Sequence, residues 1–177
     1  MVTGVAIAAA TKPGAGVDDV LGAIFDICDP DVVTREIDKQ LKYTGNCSDF
    51  RELRKAFDTV YGGFGIPYSS SYANEVVTKA ICIFKMVKGN TKEAILAGVN
   101  LGRDTDCLAA VAAGISGSLT GVASVPKEWI EQSDKATSLN IYTNSQRTLK
   151  QNGDGLYDAF KKRLSKMNNY SKIMDVD

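Results

Sequence analysis

Apolar residues recur every three or four positions along nearly the whole chain, and no run alternates between apolar and polar positions as a half-buried strand would. That spacing places successive apolar side chains on one face of an α-helix. Between 18 and 28 the stripe is Val20, Leu21, Ile24, Phe25 and Cys28. Between 32 and 43 it is Val33, Ile37 and Leu41, and Phe50, Leu53, Phe57 and Val60 continue it. The apolar start, 1–10, has no Lys or Arg ahead of it and is short for the core of a signal peptide, so it reads as another helix.

Gly62, Gly63, Gly65 and Pro67, followed by Ser69, Ser70 and Ser71, predict a loop. From 72 to 87, Ala73, Val76, Val77, Ala80, Ile81, Phe84 and Val87 form a broad face that Cys82 and Ile83 widen, which predicts a central helix. Asn90 with Glu93 resembles a capping box, opening a helix through Ile95, Val99 and Leu101 that Gly102 ends. The uncharged run 107–125 is long enough in residue count to cross a bilayer. Its Gly114, Ser116, Gly117, Ser118, Thr120, Gly121 and Ser124 fit better in a helix packed closely among others. Pro126 fits the first turn of a helix holding Trp129, and Leu156, Phe160 and Leu164 mark a last helix from Gly155, with Lys161, Lys162 and Arg163 toward its C-terminal end. Asp18 and Asp19 read as first-turn carboxylates. The predicted fold is all-α, a compact multi-helix bundle in one domain over 1–177.

Composition narrows the chemistry. The 21 basic and 21 acidic side chains cancel, leaving no net field to gather a polyanion, so nucleic acid is not expected as a partner. With 44% hydrophobic and 24% charged residues the chain can build an ordinary core. It has no histidine at all, which removes Ser-His and Cys-His nucleophiles, imidazole acid-base chemistry and His-ligated zinc, and leaves catalysis to carboxylates. The four cysteines form no CxxC pair and read as the reduced thiols of a cytoplasmic protein. Gly63-Phe64-Gly65 lacks the third glycine of a dinucleotide fingerprint, and no phosphate loop of the GxxxxGK type occurs.

The segment Gly102-Arg103-Asp104-Thr105-Asp106-Cys107 admits two readings. An Asp just ahead of a helix is an ordinary cap, and an acidic first turn offsets the positive helix end. Two carboxylates leaving one turn are also the oxygen donors a hard divalent ion takes.

Residues 72–129 resemble the C-terminal signature of the ADP-ribosylglycohydrolase family, in the helix containing AICIF and the run EAILAGVNLGRDTDCLAAVAAGISGSLTGVASVPKEW. The resemblance implies an all-α hydrolase with two Mg²⁺ ions, Mn²⁺ in some members, that removes ADP-ribose from a modified protein or small acceptor. It implies metal-ligand roles for Asp104, Asp106 and Cys107, the last standing where the family usually has a hydroxyl that also touches metal. It implies substrate contact for Gly63, Phe64, Gly65 and Ser69. The implied partner is an ADP-ribosylated substrate or ADP-ribose, with no membrane involved, and no residue is assigned as the catalytic acid or base. The Ser/Thr-Asp-Asp cluster and the acidic residue that the family's N-terminal half supplies have no matching context here, since Val17-Asp18-Asp19 opens an amphipathic helix. The expectation is therefore a hydrolase incomplete at its N-terminus that works with a missing half and, alone, self-associates through exposed apolar surface. The alternative is a noncatalytic, degenerate ADP-ribose-binding or structural helical module.

Overall fold

The computed structural model describes residues 1–62, 72–142 and 146–174, and the described residues are helical, without a strand. The helices are α1 (Val2–Ala10), α2 (Val17–Ile27), α3 (Val32–Tyr43), α4 (Phe50–Tyr61), α5 (Ala73–Met86), α6 (Thr91–Asn100), α7 (Thr105–Thr120), α8 (Lys127–Leu139) and α9 (Leu149–Met174), with a 3₁₀ turn at Val122–Ser124. The chain divides into two compact units, Met1–Val125 and Pro126–Asp177.

In the first unit, polar side chains set where helices begin. The Asp31 carboxylate accepts from the Val33 and Thr34 N–H groups at 2.9 and 3.0 Å, and Asp49 accepts from Arg51 and Glu52 at 2.8 and 2.9 Å. Each satisfies donors that the first helical turn leaves without a partner. Asn90 caps α6 by accepting from Glu93 N–H at 3.0 Å. The expected return bond from Glu93 has no donor to meet, because the Asn90 N–H is taken by the Val87 carbonyl at 3.0 Å. Asp18 and Asp19 lie in the first turn of α2, as the sequence predicts, and Asp19 also accepts from Gly16 N–H at 2.7 Å.

The predicted central helix is α5, which packs against α3, α4, α6 and α7. Its run from Thr78 to Phe84 is buried without interruption, so the helix has almost no solvent face. Burial of Ile81, Ile83 and Phe84 contributes about 1.5–3 kcal/mol each, and Phe84→Ala should cost about 3–5 kcal/mol. Helices α6 and α7 approach so closely that a Cβ on Gly98 would lie 2.6 Å from the Ala109 Cα. Gly98, Ala109 and the buried Ser116 therefore serve helix packing, whereas Gly114, named with the small residues in the sequence, is exposed with open space around it. Helix α7 stops before the predicted end at 125 because Gly121 takes φ +71°, a left-handed conformation that ends the ladder. Among the described residues no helix is long and apolar enough to cross a membrane.

In the second unit, α8 begins at Lys127 with Pro126 at the capping position, one place before the predicted first turn. Helix α9 starts at Leu149, earlier than Gly155. Its start is a reciprocal box: Thr148 N–H donates to Gln151 Oε1 at 2.9 Å and Gln151 N–H donates to Thr148 Oγ1 at 3.1 Å. Since α9 continues to Met174, Lys161, Lys162 and Arg163 occupy its middle, and the basic residue of its last turn is Lys172. Asp134 on α8 accepts from Leu149 N–H at 2.7 Å, tying the two helices together.

Candidate metal centre

The turn between α6 and α7 carries the paired aspartates. Leu101 is buried and anchors its start, and Gly102 and Arg103 follow at φ +87° and +63°. Two successive left-handed residues reverse the chain direction within a few bonds. Arg103 is the unusual member, because a residue with a Cβ adopts this conformation at a cost. Asp104 then occupies the capping position of α7, and its carbonyl accepts the first helical bond from Leu108 N–H at 3.1 Å.

The Asp104 carboxylate does not cap the helix. Its backbone has ψ 71°, whereas Asp31 and Asp49, which do cap, are extended at ψ −169° and 171°. Asp104 is half-buried, Asp106 is exposed in the first turn and Cys107 is exposed beside it, while Leu108 and Ala109 bury the adjoining face. One ligand-capable atom from each of Asp104, Asp106 and Cys107 lies within 4.8 Å of the others. The positive end of α7 favours negative charge here.

The donor set fits a hard cation in two of its three members. Carboxylate oxygens are what Mg²⁺ and Mn²⁺ take, and two of them leave most of an octahedral shell to other oxygens. Cys107 does not fit. Its thiol is held above the ordinary 9.0, first by its hydrogen bond to Asp104, then by desolvation and the charges of Asp104 and Asp106. It therefore stays protonated at neutral pH, and a neutral thiol is a weak ligand for a hard ion.

Behind the turn is a buried charged network. Arg103 Nε donates to Glu75 Oε1 at 2.6 Å, and Lys79 Nζ reaches the same oxygen at 2.7 Å. The side chains of Glu75 and Lys79 are 3% and 2% exposed, so both are removed from water. The Lys79 ammonium lies 5.0 Å from the Tyr61 ring centroid and 5.6 Å from that of Phe57, a cation-π arrangement that partly replaces lost hydration. Tyr61 donates its hydroxyl to Glu36. Burial draws the Lys79 ammonium below its usual range, with Glu75 working against it, and burial pushes the Tyr61 hydroxyl far up.

The structure thus brings Asp104, Asp106 and Cys107 together. Gly63, Phe64, Gly65 and Ser69, assigned to substrate by resemblance, lie outside the described residues. Sequence reasoning missed Glu75, Lys79 and Arg103. The available signal was an acid and a base four positions apart inside a helix whose other buried residues, Thr78 apart, are apolar, where charge is tolerated only in pairs.

An all-α core that presents paired aspartates from the turn before a small-residue helix has the layout expected of a glycohydrolase of this signature. The ADP-ribosylglycohydrolase family model matches residues 1–164, and the chain belongs to that family. The match takes in α1–α4, ahead of the signature, and runs into α9. No curated protein and no solved structure gives a significant match.

Proposed function

We propose that this chain is a divalent-metal-dependent hydrolase that removes ADP-ribose from a modified protein or small acceptor, with Asp104 and Asp106 as metal ligands. The observation that carries the reading is the placement of Asp104 at a helix start without a capping bond, its carboxylate grouped with that of Asp106. A bound divalent ion supplies a Lewis acid that orients ribose hydroxyls and polarises an attacking water. The chain's own part is to hold that ion on two oxygens at the positive end of α7 and to exclude water from the far side with Leu101, Leu108 and the core behind them. Mg²⁺ or Mn²⁺ fits the carboxylates, and Cys107 stands alongside as a neutral thiol rather than a third ligand.

A second reading, a noncatalytic module that kept the helical core, is favoured by that thiol, which removes an oxygen donor from the usual set. Calorimetric titration with Mn²⁺, run beside an assay for ADP-ribose release from ADP-ribosylated protein, separates the two. The hydrolase reading expects binding that Asp104→Asn and Asp106→Asn abolish, together with release that needs the metal. Binding indifferent to both substitutions would overturn the ligand assignment. Binding without release from any ADP-ribosyl linkage would favour the module.

A further inference from the structure

The buried network and the aspartate turn meet at one residue, Arg103. It stands directly before Asp104, at φ +63°, and its Nε is 2.6 Å from Glu75 Oε1. A glycine at 103 would adopt this conformation without steric cost, so the turn alone does not call for an arginine. What the arginine adds is a tether to α5. Glu75 is itself fixed: it is 3% exposed, and the same oxygen takes Lys79 Nζ at 2.7 Å. Lys79 in turn lies over the Tyr61 and Phe57 rings. The chain of contacts runs from the core helix to the residue directly before Asp104.

We propose that Glu75, acting through Arg103, is a positioning residue for the metal ligands: a buried carboxylate on α5 that locks the left-handed turn from which Asp104 and Asp106 project. The proposal rests on the metal reading above. A charge-assisted bond to a carboxylate already held by a buried ammonium leaves the guanidinium little freedom. Rotation about the Arg103 backbone would carry Asp104 and the first turn of α7 with it. Groups bonded directly to a metal ligand typically change metal affinity by about 10- to 100-fold when lost, and Glu75, acting one residue further back, belongs at the lower end of that range.

The test uses the full chain with Arg103→Gly, Arg103→Lys and the double variant Glu75→Gln with Lys79→Met. The double variant is needed because Glu75→Gln alone strands the Lys79 ammonium in the core. Three quantities are read: Mn²⁺ affinity by calorimetry, the unfolding midpoint, and ¹⁵N backbone order parameters for residues 103–106. Arg103→Gly is expected to weaken Mn²⁺ about 10-fold, to change the unfolding midpoint little because relief of the strained angle offsets the lost bond to Glu75, and to lower the order parameters from about 0.85 to below about 0.6. Arg103→Lys, which keeps the charge on a flexible stem, should fall between, and the double variant should follow Arg103→Gly. Unchanged affinity with a turn still rigid would overturn the proposal, as would an affinity loss matched by an equal loss of stability. If the unaltered chain fails to bind Mn²⁺, or binds it regardless of Asp104→Asn and Asp106→Asn, the metal reading falls. A positioning role toward a metal then falls with it, whatever the order parameters show.

Discussion

Three helices of the first unit begin with an aspartate at the same position, yet only two use it in the same way. Asp31 and Asp49 each accept from two N–H groups of the helix they open, whereas Asp104 makes no such bond. The difference is one backbone angle: ψ is near ±170° in the first two and 71° in the third. An extended residue folds its side chain back over the first turn, and a residue at ψ 71° carries it elsewhere. The first two aspartates therefore serve their own helices, while the third joins Asp106. A residue type that is ordinary as a cap becomes a ligand candidate because the turn in front of it withholds it from capping.

The comparison breaks most sharply on metal affinity. Asp104→Asn or Asp106→Asn should weaken Mn²⁺ by at least about 100-fold, the upper end of what loss of an outer-shell partner does, while Asp49→Ala should leave it untouched. Calorimetric titration of the three variants checks this. Stability should move in the opposite sense. Asp49→Ala removes both of its bonds to the α4 N-terminus and should cost about 1 kcal/mol in denaturant unfolding, with a smaller change for Asp104→Asn. If Asp104→Asn proved the more destabilising of the two, Asp104 would be a structural residue and the contrast would vanish.

A smaller effect is expected at Cys107. Replacing the neutral thiol with a hydroxyl in Cys107→Ser offers a harder donor beside the carboxylates, so Mn²⁺ affinity should rise by about 2- to 5-fold, less than one tenfold step of 1.4 kcal/mol. Mn²⁺ titration of Cys107→Ser against the unaltered chain measures it, and a fall in affinity would mean that the sulfur itself contributes to binding.

What the sequence reveals follows from which physical signals are local. The stripes at Val20, Leu21 and Ile24, or at Ile37 and Leu41, announce their helices because the same residues that set the period are the ones buried. The start of α9 escapes such a reading because its signal is polar, a Thr148–Gln151 box ahead of the apolar stripe. The aspartate turn is half legible. Residue types and spacing nominate Asp104 and Asp106, but cap and ligand candidate are spelled alike, and what separates them is the ψ angle of Asp104, next to Arg103, whose side chain bonds Glu75 on another helix. No local pattern encodes that bond. The nearest hint is the pair Glu75 and Lys79 on the mostly apolar buried face of α5.

The smallest effect sharpens the comparison from the capping side. Hydrogen bonds from Thr34 N–H, opposed by desolvation and joined by bonds from the Thr34 hydroxyl and Val33 N–H and by the Arg35 charge, hold Asp31 below its ordinary 3.8. A carboxyl whose folded value is depressed binds fewer protons in the folded state than in the unfolded state at acid pH. Its contribution is therefore fully present above about 3.8 and is lost as pH falls through the lower folded value. Asp31→Asn cannot titrate, yet it keeps an oxygen for the same two N–H groups. Its unfolding free energy, followed from neutral pH downward, should match that of the parent less a constant near neutrality. The gap should then narrow below pH 3.8, because only the parent loses its charge there. A gap that stayed constant through the acid range would show that the charge of Asp31 adds nothing to its cap. The cap would then rest on geometry alone, the same property that the turn at Arg103 denies to Asp104.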